Sequence, residues 1–170
     1  EEREQRLEEV KQNQRKDIDD RINEITEALT EIQTKKMKVD MKLMKAKSEL
    51  LKDEKKPKKL LEQLKKDKPS KKALKYKGII LSEAKAAQGM AQQVQRLERQ
   101  IPAIKRKAER LGEDRYKERV VDLEEEVRRV HRSMMKSAAS AYEDANELRT
   151  AFAVYAGLYK DMSKEERESI

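Results

Sequence analysis

Apolar residues in the first third of the chain recur at alternating spacings of four and three: Ile18, Ile22, Ile25, Leu29, Ile32, Val39, Leu43, Ala46 and Leu50. A helix gathers positions spaced in this way onto one stripe, whereas a strand requires alternation every second residue. Set as heptads, the pattern puts Ile22, Leu29, Leu43 and Leu50 at a, and Ile18, Ile25, Ile32, Val39 and Ala46 at d. Lys36 is the polar a position of the series, a choice that costs stability and helps to set register. Leu7, Val10 and Gln14 continue a weaker seam toward the start of the chain.

Composition limits what these seams can build. The chain is 45% charged, with four glycines, three prolines, one phenylalanine and no tryptophan in 170 residues, against about 25% charged in an ordinary globular domain. A thick core is out of reach, so the apolar stripes must pair with one another as narrow interfaces. The absence of cysteine removes disulfide and thiolate chemistry and agrees with a reducing compartment. No uninterrupted apolar run, residues 78–81 included, approaches the length needed to span a bilayer. With no secretory signal at the visible start, a cytoplasmic location is expected.

Punctuation divides the chain. The first long helix is expected to end near Glu54, ahead of Pro57, giving a segment 1–54. Residues 55–77 form a Lys-rich linker or tip in which Leu60, Leu61 and Leu64 supply one or two helical turns that need docking to persist, and Ser70 can cap the next helix. A second seam runs through Ile80, Ala84, Ala87, Ala91, Val94, Leu97, Ile101, Ile104, Ala108 and Leu111, with small residues that allow close helix approach. Pro102 predicts a bend. A third seam passes through Tyr116, Val120, Leu123, Val127, Val130, Met134, Ser137 and Ala141, then Ala145, Leu148, Phe152, Tyr155, Tyr159 and Met162, the extra residue between Ala141 and Ala145 being read as a shift in winding inside one helix. At Gly112 the phase changes, by a tight reversal or by a skip in a continuous helix, and the reversal is favoured. The expected fold is all-α, an elongated coiled coil or antiparallel three-helix arrangement with a bend near Pro102, helices 2 and 3 occupying 78–162. Residues 163–170 open on Ser163-Lys164-Glu165-Glu166, a capping-box pattern for a further helix, and the chain is expected to be an excerpt of a longer one.

Little here suggests catalysis. His131 is the single histidine and sits among Arg128, Arg129 and Arg132, which suits a solvated helical residue better than a general base. Asp17, Asp19 and Asp20 lack the glycine and terminal glutamate of a calcium loop, and Glu124, Glu125 and Glu126 diverge around a helix. The four glycines at 78, 89, 112 and 157 make no phosphate loop. A non-enzymatic chain without cofactor or metal is therefore expected.

The remaining candidate is charge. Lys55, Lys56, Lys58, Lys59, Lys65, Lys66, Lys68, Lys71, Lys72, Lys75 and Lys77 stand against only Glu62 and Asp67, a net of about +9 in a chain whose total is +8. Lysine without arginine favours diffuse attraction to a polyanion over bidentate readout of bases or phosphates. Acidic protein surfaces such as cytoskeletal polymers satisfy this. So does an anionic membrane, with Leu60, Leu61, Leu64, Ile79 and Ile80 available to insert, and so does non-specific, salt-dependent nucleic-acid binding, for which Tyr76 is the one aromatic in reach. Thin seams also predict self-association, a homodimer through the stripe Leu148, Phe152, Tyr155 and Tyr159. Together these features point to a coiled-coil scaffold or structural interaction module, self-associating, whose lysines dock on an acidic surface. In outline only, three long helices, a proline bend and basic charge also resemble the membrane-shaping BAR class, which implies a dimer acting on anionic lipid.

Overall fold

The computed structural model describes residues 1–52, 58–160, 162 and 164–168. Its secondary structure is all-helical: α1 (Glu2–Leu50), α2 (Lys58–Gln63), α3 (Lys71–Glu98), α4 (Ile101–Leu111), α5 (Asp114–Asp144), α6 (Leu148–Lys160) and α7 (Lys164–Glu168). Pro57, the boundary expected at Glu54, and Ser163 of the capping-box pattern lie outside the described residues, as do Lys55 and Lys56. Packing divides the chain into two units, one formed by Glu1–Gln33 with Gln92–His131 and the other by Thr34–Ala91 with Arg132–Ile170.

The first unit is an antiparallel three-helix arrangement whose core is the set of seam residues. Ile18, Ile22, Ile25, Leu29 and Ile32 of α1 are buried, as are Val94, Ile101, Ile104, Ala108 and Leu111 and, from α5, Val120, Leu123, Val127 and Val130. Leu7 and Val10, on the weaker seam, stay 60% and 53% exposed. The helix breaks where Pro102 predicts a bend. α3 ends at Glu98, the Gln100 amide donates to Leu97 O (3.0 Å), and the proline sits in the first turn of α4, where a missing N–H leaves no hydrogen bond unmade.

Gly112 marks a reversal. Its φ of 76° is left-handed, and its amide donates to Ala108 O, closing α4 with an αL cap. Ion pairs fix the directions on either side: Arg15 of α1 grips Glu113 in the turn, Lys107 of α4 meets Asp17, and Arg119 of α5 meets Asp19. Moving away from the turn along α4 or along α5 therefore climbs α1 in the same sense, as only a hairpin allows. Asp17 and Asp19 thus serve as cross-links between helices.

The second unit packs parts of α1, α3 and α5 with the shorter helices α2, α6 and α7. Its core joins Leu60, Leu64, Ala73, Tyr76, Ile80, Ala84 and Ala87 to Ala138, Ala139, Ala141, Tyr142, Ala145, Ala151 and Val154. Alanine on both α3 and α5 lets these helices approach closely, and Tyr142 Oη donates to Gln88 Oε1 (2.8 Å) across them. Coverage of α1 thins here. Val39, Leu43, Ala46 and Leu50 are only half-buried, and Lys36, the polar a position, pairs with Asp40 one turn on (2.8 Å).

One sequence expectation is overturned at the end of α5. The helix does not pass through the extra residue between Ala141 and Ala145 but stops at Asp144, and α6 starts anew at Leu148. Asn146 has φ 63°, its amide donates to Glu143 O (3.0 Å) and the Glu147 amide donates to Tyr142 O (2.8 Å), which together make a Schellman motif with asparagine in the left-handed position. Its side chain Nδ2 also donates to Leu64 O (3.3 Å), tying the turn to the end of α2. Because α6 is aimed afresh, its inward face is Ala151, Val154 and Leu158 rather than the continued stripe through Leu148 and Phe152.

Candidate polyanion-binding surface

The Lys-rich segment is held in place by its leucines. Leu60 and Leu64 are 2% and 6% exposed, packed in the core of the second unit, while the lysines around them project outward. A six-residue helix is unstable alone, so this burial is what makes α2 a helix. At its end the amides of Leu64, Lys65 and Lys66 turn back onto Leu61 O, Glu62 O and Gln63 O. Ser70 then starts α3 as expected, its Oγ accepting from the Ala73 amide (3.1 Å) and donating to Gln63 Oε1 (2.6 Å).

Burial reassigns several residues considered for binding. Leu60, Leu64 and Ile80 lie in the core and are not free to enter a membrane, and Tyr76, 8% exposed, has no face open for stacking on a base. Among the expected lysines, Lys72 and Lys77 are half-buried, and Lys77 pairs with Glu147 (3.0 Å). Lys58, Lys59, Lys65, Lys66, Lys68, Lys71 and Lys75 are exposed, and among the described residues no carboxylate pairs with them. Their charge is therefore not spent inside the fold.

A second basic run is hidden in the overall sum. Residues 35–52 carry seven lysines against Asp40 and Glu49. The unit that contains them holds 25 Lys and Arg against 14 Asp and Glu, while the other unit holds 17 against 20. Within that run, Met37, Met41 and Met44 are 66%, 60% and 63% exposed, spaced four and three apart on the side of α1 away from its seam, with exposed Lys38, Lys42 and Lys45 beside them. The same spacing is present in the sequence, yet it falls outside the heptad seam and so does not announce a face by itself.

Two recesses flank these elements. A shallow apolar groove of about 550 Å³ is lined by Leu43, Ala46 and Leu50 of α1 and by Lys75, Gly78 and Ile79 of α3. A smaller polar one of about 150 Å³ gathers Lys47, Glu83, Ser137, Ser140 and Asp144. There Lys47 bridges to Glu83, and burial, with Glu143 nearby, pushes the Asp144 carboxyl above the usual carboxylate range. His131 is half-buried on α5. Among the described residues no three His, Cys, Asp or Glu side chains converge as metal ligands, and no helix is long and apolar enough to cross a membrane.

The stripe expected for self-association is split by the new direction of α6. Leu148 and Phe152 are 51% and 74% exposed, whereas Tyr155 and Tyr159 are half-buried and stack on each other, ring centroids 6.0 Å apart. Tyr155 Oη donates to Glu143 Oε2 (3.2 Å), and burial raises its pKa. No protein-family model, curated protein or solved structure matches this chain.

Proposed function

We propose that this chain is a non-enzymatic helical scaffold, a coiled-coil interaction module, that docks on acidic protein surfaces such as cytoskeletal polymers through the lysines of its second unit. The observation that carries the reading is the set of exposed ammonium groups at Lys58, Lys59, Lys65, Lys66, Lys68, Lys71 and Lys75, without an ion pair among the described residues, carried by a docked segment and the start of α3 rather than by a free tether. Lysines that served only to keep the chain soluble would not need two buried leucines to position them. A backbone already ordered loses less freedom on binding than a free tether, and lysine reads a dense field of carboxylates without demanding a bidentate partner.

A second reading, binding to anionic membrane, draws on the exposed Met37, Met41 and Met44 beside Lys38, Lys42 and Lys45, an amphipathic basic face of the kind that lies on lipid headgroups. Parallel co-sedimentation with acidic filaments, anionic vesicles and homopolymeric RNA at moderate salt separates the possibilities. Pelleting with filaments, weakened by Gln at Lys65, Lys66, Lys68, Lys71 and Lys75, is the expected result. Pelleting with vesicles alone transfers the function to lipid, with RNA alone to nucleic acid, and pelleting with none removes the polyanion reading.

A further inference from the structure

In a chain that is 45% charged, the thirteen residues of α6 include two charges, Arg149 and Lys160. Helices so apolar all round are normally covered on every side. Here only the Ala151, Val154 and Leu158 side is buried, and the outward side shows Phe152 at 74% exposure with Ala153, Ala156 and Gly157 also open. At 3.6 residues per turn, Arg149, Phe152, Ala156 and Lys160, spaced three, four and four, lie on one line along that outward side. The line reads cation, aromatic, small residue, cation. Arg149 and Lys160 have no ion pair among the described residues, and their separation of eleven positions spans about 16 Å along the helix.

Charge decides what fits. A second copy paired antiparallel about a two-fold axis sets Arg149 of each copy against Lys160 of the other, and a parallel pair sets each cation against itself. Either arrangement traps like charges around the aromatic centre, which is costly at an interface. An amphipathic acidic helix matches instead. Its apolar side chains cover Phe152 and settle over Ala156, where a small side chain permits close approach, while carboxylates eleven residues apart reach Arg149 and Lys160. The unit already carries excess positive charge, which steers such a segment toward it.

We propose that the outward face of α6 is a docking site for an acidic amphipathic helix of a partner protein, with Phe152 as its apolar anchor and Arg149 and Lys160 as its two charge contacts. This rests on the acidic-partner reading above and adds that the partner brings apolar side chains as well as carboxylates. The test titrates two designed peptides into the whole chain: a helical one with two glutamates about eleven residues apart and leucines between them, and the same peptide with its leucines changed to glutamine. Phe152→Ser removes an exposed side chain and leaves the fold intact, which circular dichroism verifies. The leucine peptide is expected to bind wild type at least about tenfold more tightly than it binds Phe152→Ser, while the glutamine peptide does not distinguish them. Equal affinity of both proteins for the leucine peptide overturns the docking site and leaves the lysine reading standing. Failure of both peptides to bind wild type also overturns the docking site, and the lysine reading is then decided by filament co-sedimentation alone. A wild-type dimer by sedimentation equilibrium that Phe152→Ser converts to monomer hands the face to a second copy and also overturns the proposal.

Discussion

Leu60→Ala tests whether the lysine segment is anchored as described. Leu60 is 2% exposed and shares with Leu64 the task of holding α2 in the core. In rigid cores a leucine-to-alanine change costs about 2–5 kcal/mol, the lower end applying where the site can relax. A short, six-residue helix is such a site, so about 2–3 kcal/mol is expected. At 1.4 kcal/mol per tenfold, the opened form of the segment rises by roughly 30- to 150-fold. The amides of Leu64, Lys65 and Lys66, which donate to Leu61 O, Glu62 O and Gln63 O, report that opening directly. Amide hydrogen exchange measured by NMR should show these three exchanging faster by about that factor, while amides around Ile25 in the other unit keep their protection. Unchanged exchange at residues 64–66 would refute the anchoring, and with it the argument that the segment carrying the lysines is held in place.

Other expectations attach to single positions. Asn146→Ala should lower unfolding free energy by about 1–2 kcal/mol in urea titration, since alanine resents the left-handed conformation and drops the bond to Leu64 O; Asn146→Gly should cost less, because it removes only the side-chain bond. Gly112→Ala meets open space around its added methyl group, so its penalty is the backbone conformation alone, about 1 kcal/mol by the same assay. Lys107 and Arg15 hold the carboxyls of Asp17 and Glu113 below their ordinary values. For such depressed acids the stabilisation is present above the unfolded-state value near pH 4 and is lost as pH falls through the folded-state value, so acid titration should loosen the first unit below about pH 4. Asp17→Asn should flatten that decline. Asp144 carries the opposite sign: its raised carboxyl favours the folded state below the unfolded-state value and disfavours it as pH rises through its own, so Asp144→Asn should not weaken the second unit at neutral pH.

How much of the structure was legible in the sequence depends on the range of the forces involved. The seams of α1, α3, α4 and the first part of α5 were legible because helix period and burial enforce the same pattern, and Ile18, Ala84, Ile104 and Val127 lie where the spacing puts them. Pro102 and Gly112 were legible as punctuation because their covalent geometry acts locally. The break at Asn146 was not, since asparagine takes the left-handed position only when a Schellman turn and a partner such as Leu64 O make it worthwhile, and that partner is 82 residues away. The docking of α2 belongs to the same class, for Leu60 and Leu64 in the sequence serve a core or a membrane equally well. The exposed methionines of α1 are visible in the spacing, but a stripe outside a heptad seam declares its exposure only once the neighbouring helices are placed.

The central claim is that exposed lysines of the second unit provide the binding surface, and the most direct measurement is affinity for poly-glutamate across a salt series, for wild type and for the variant with Gln at Lys65, Lys66, Lys68, Lys71 and Lys75. Binding through these ammonium groups is expected to weaken steeply with salt in wild type, and to be both weaker and less salt-dependent in the variant, because fewer counterions are released and fewer charges are screened. Equal affinities and equal salt slopes for the two proteins would contradict the account.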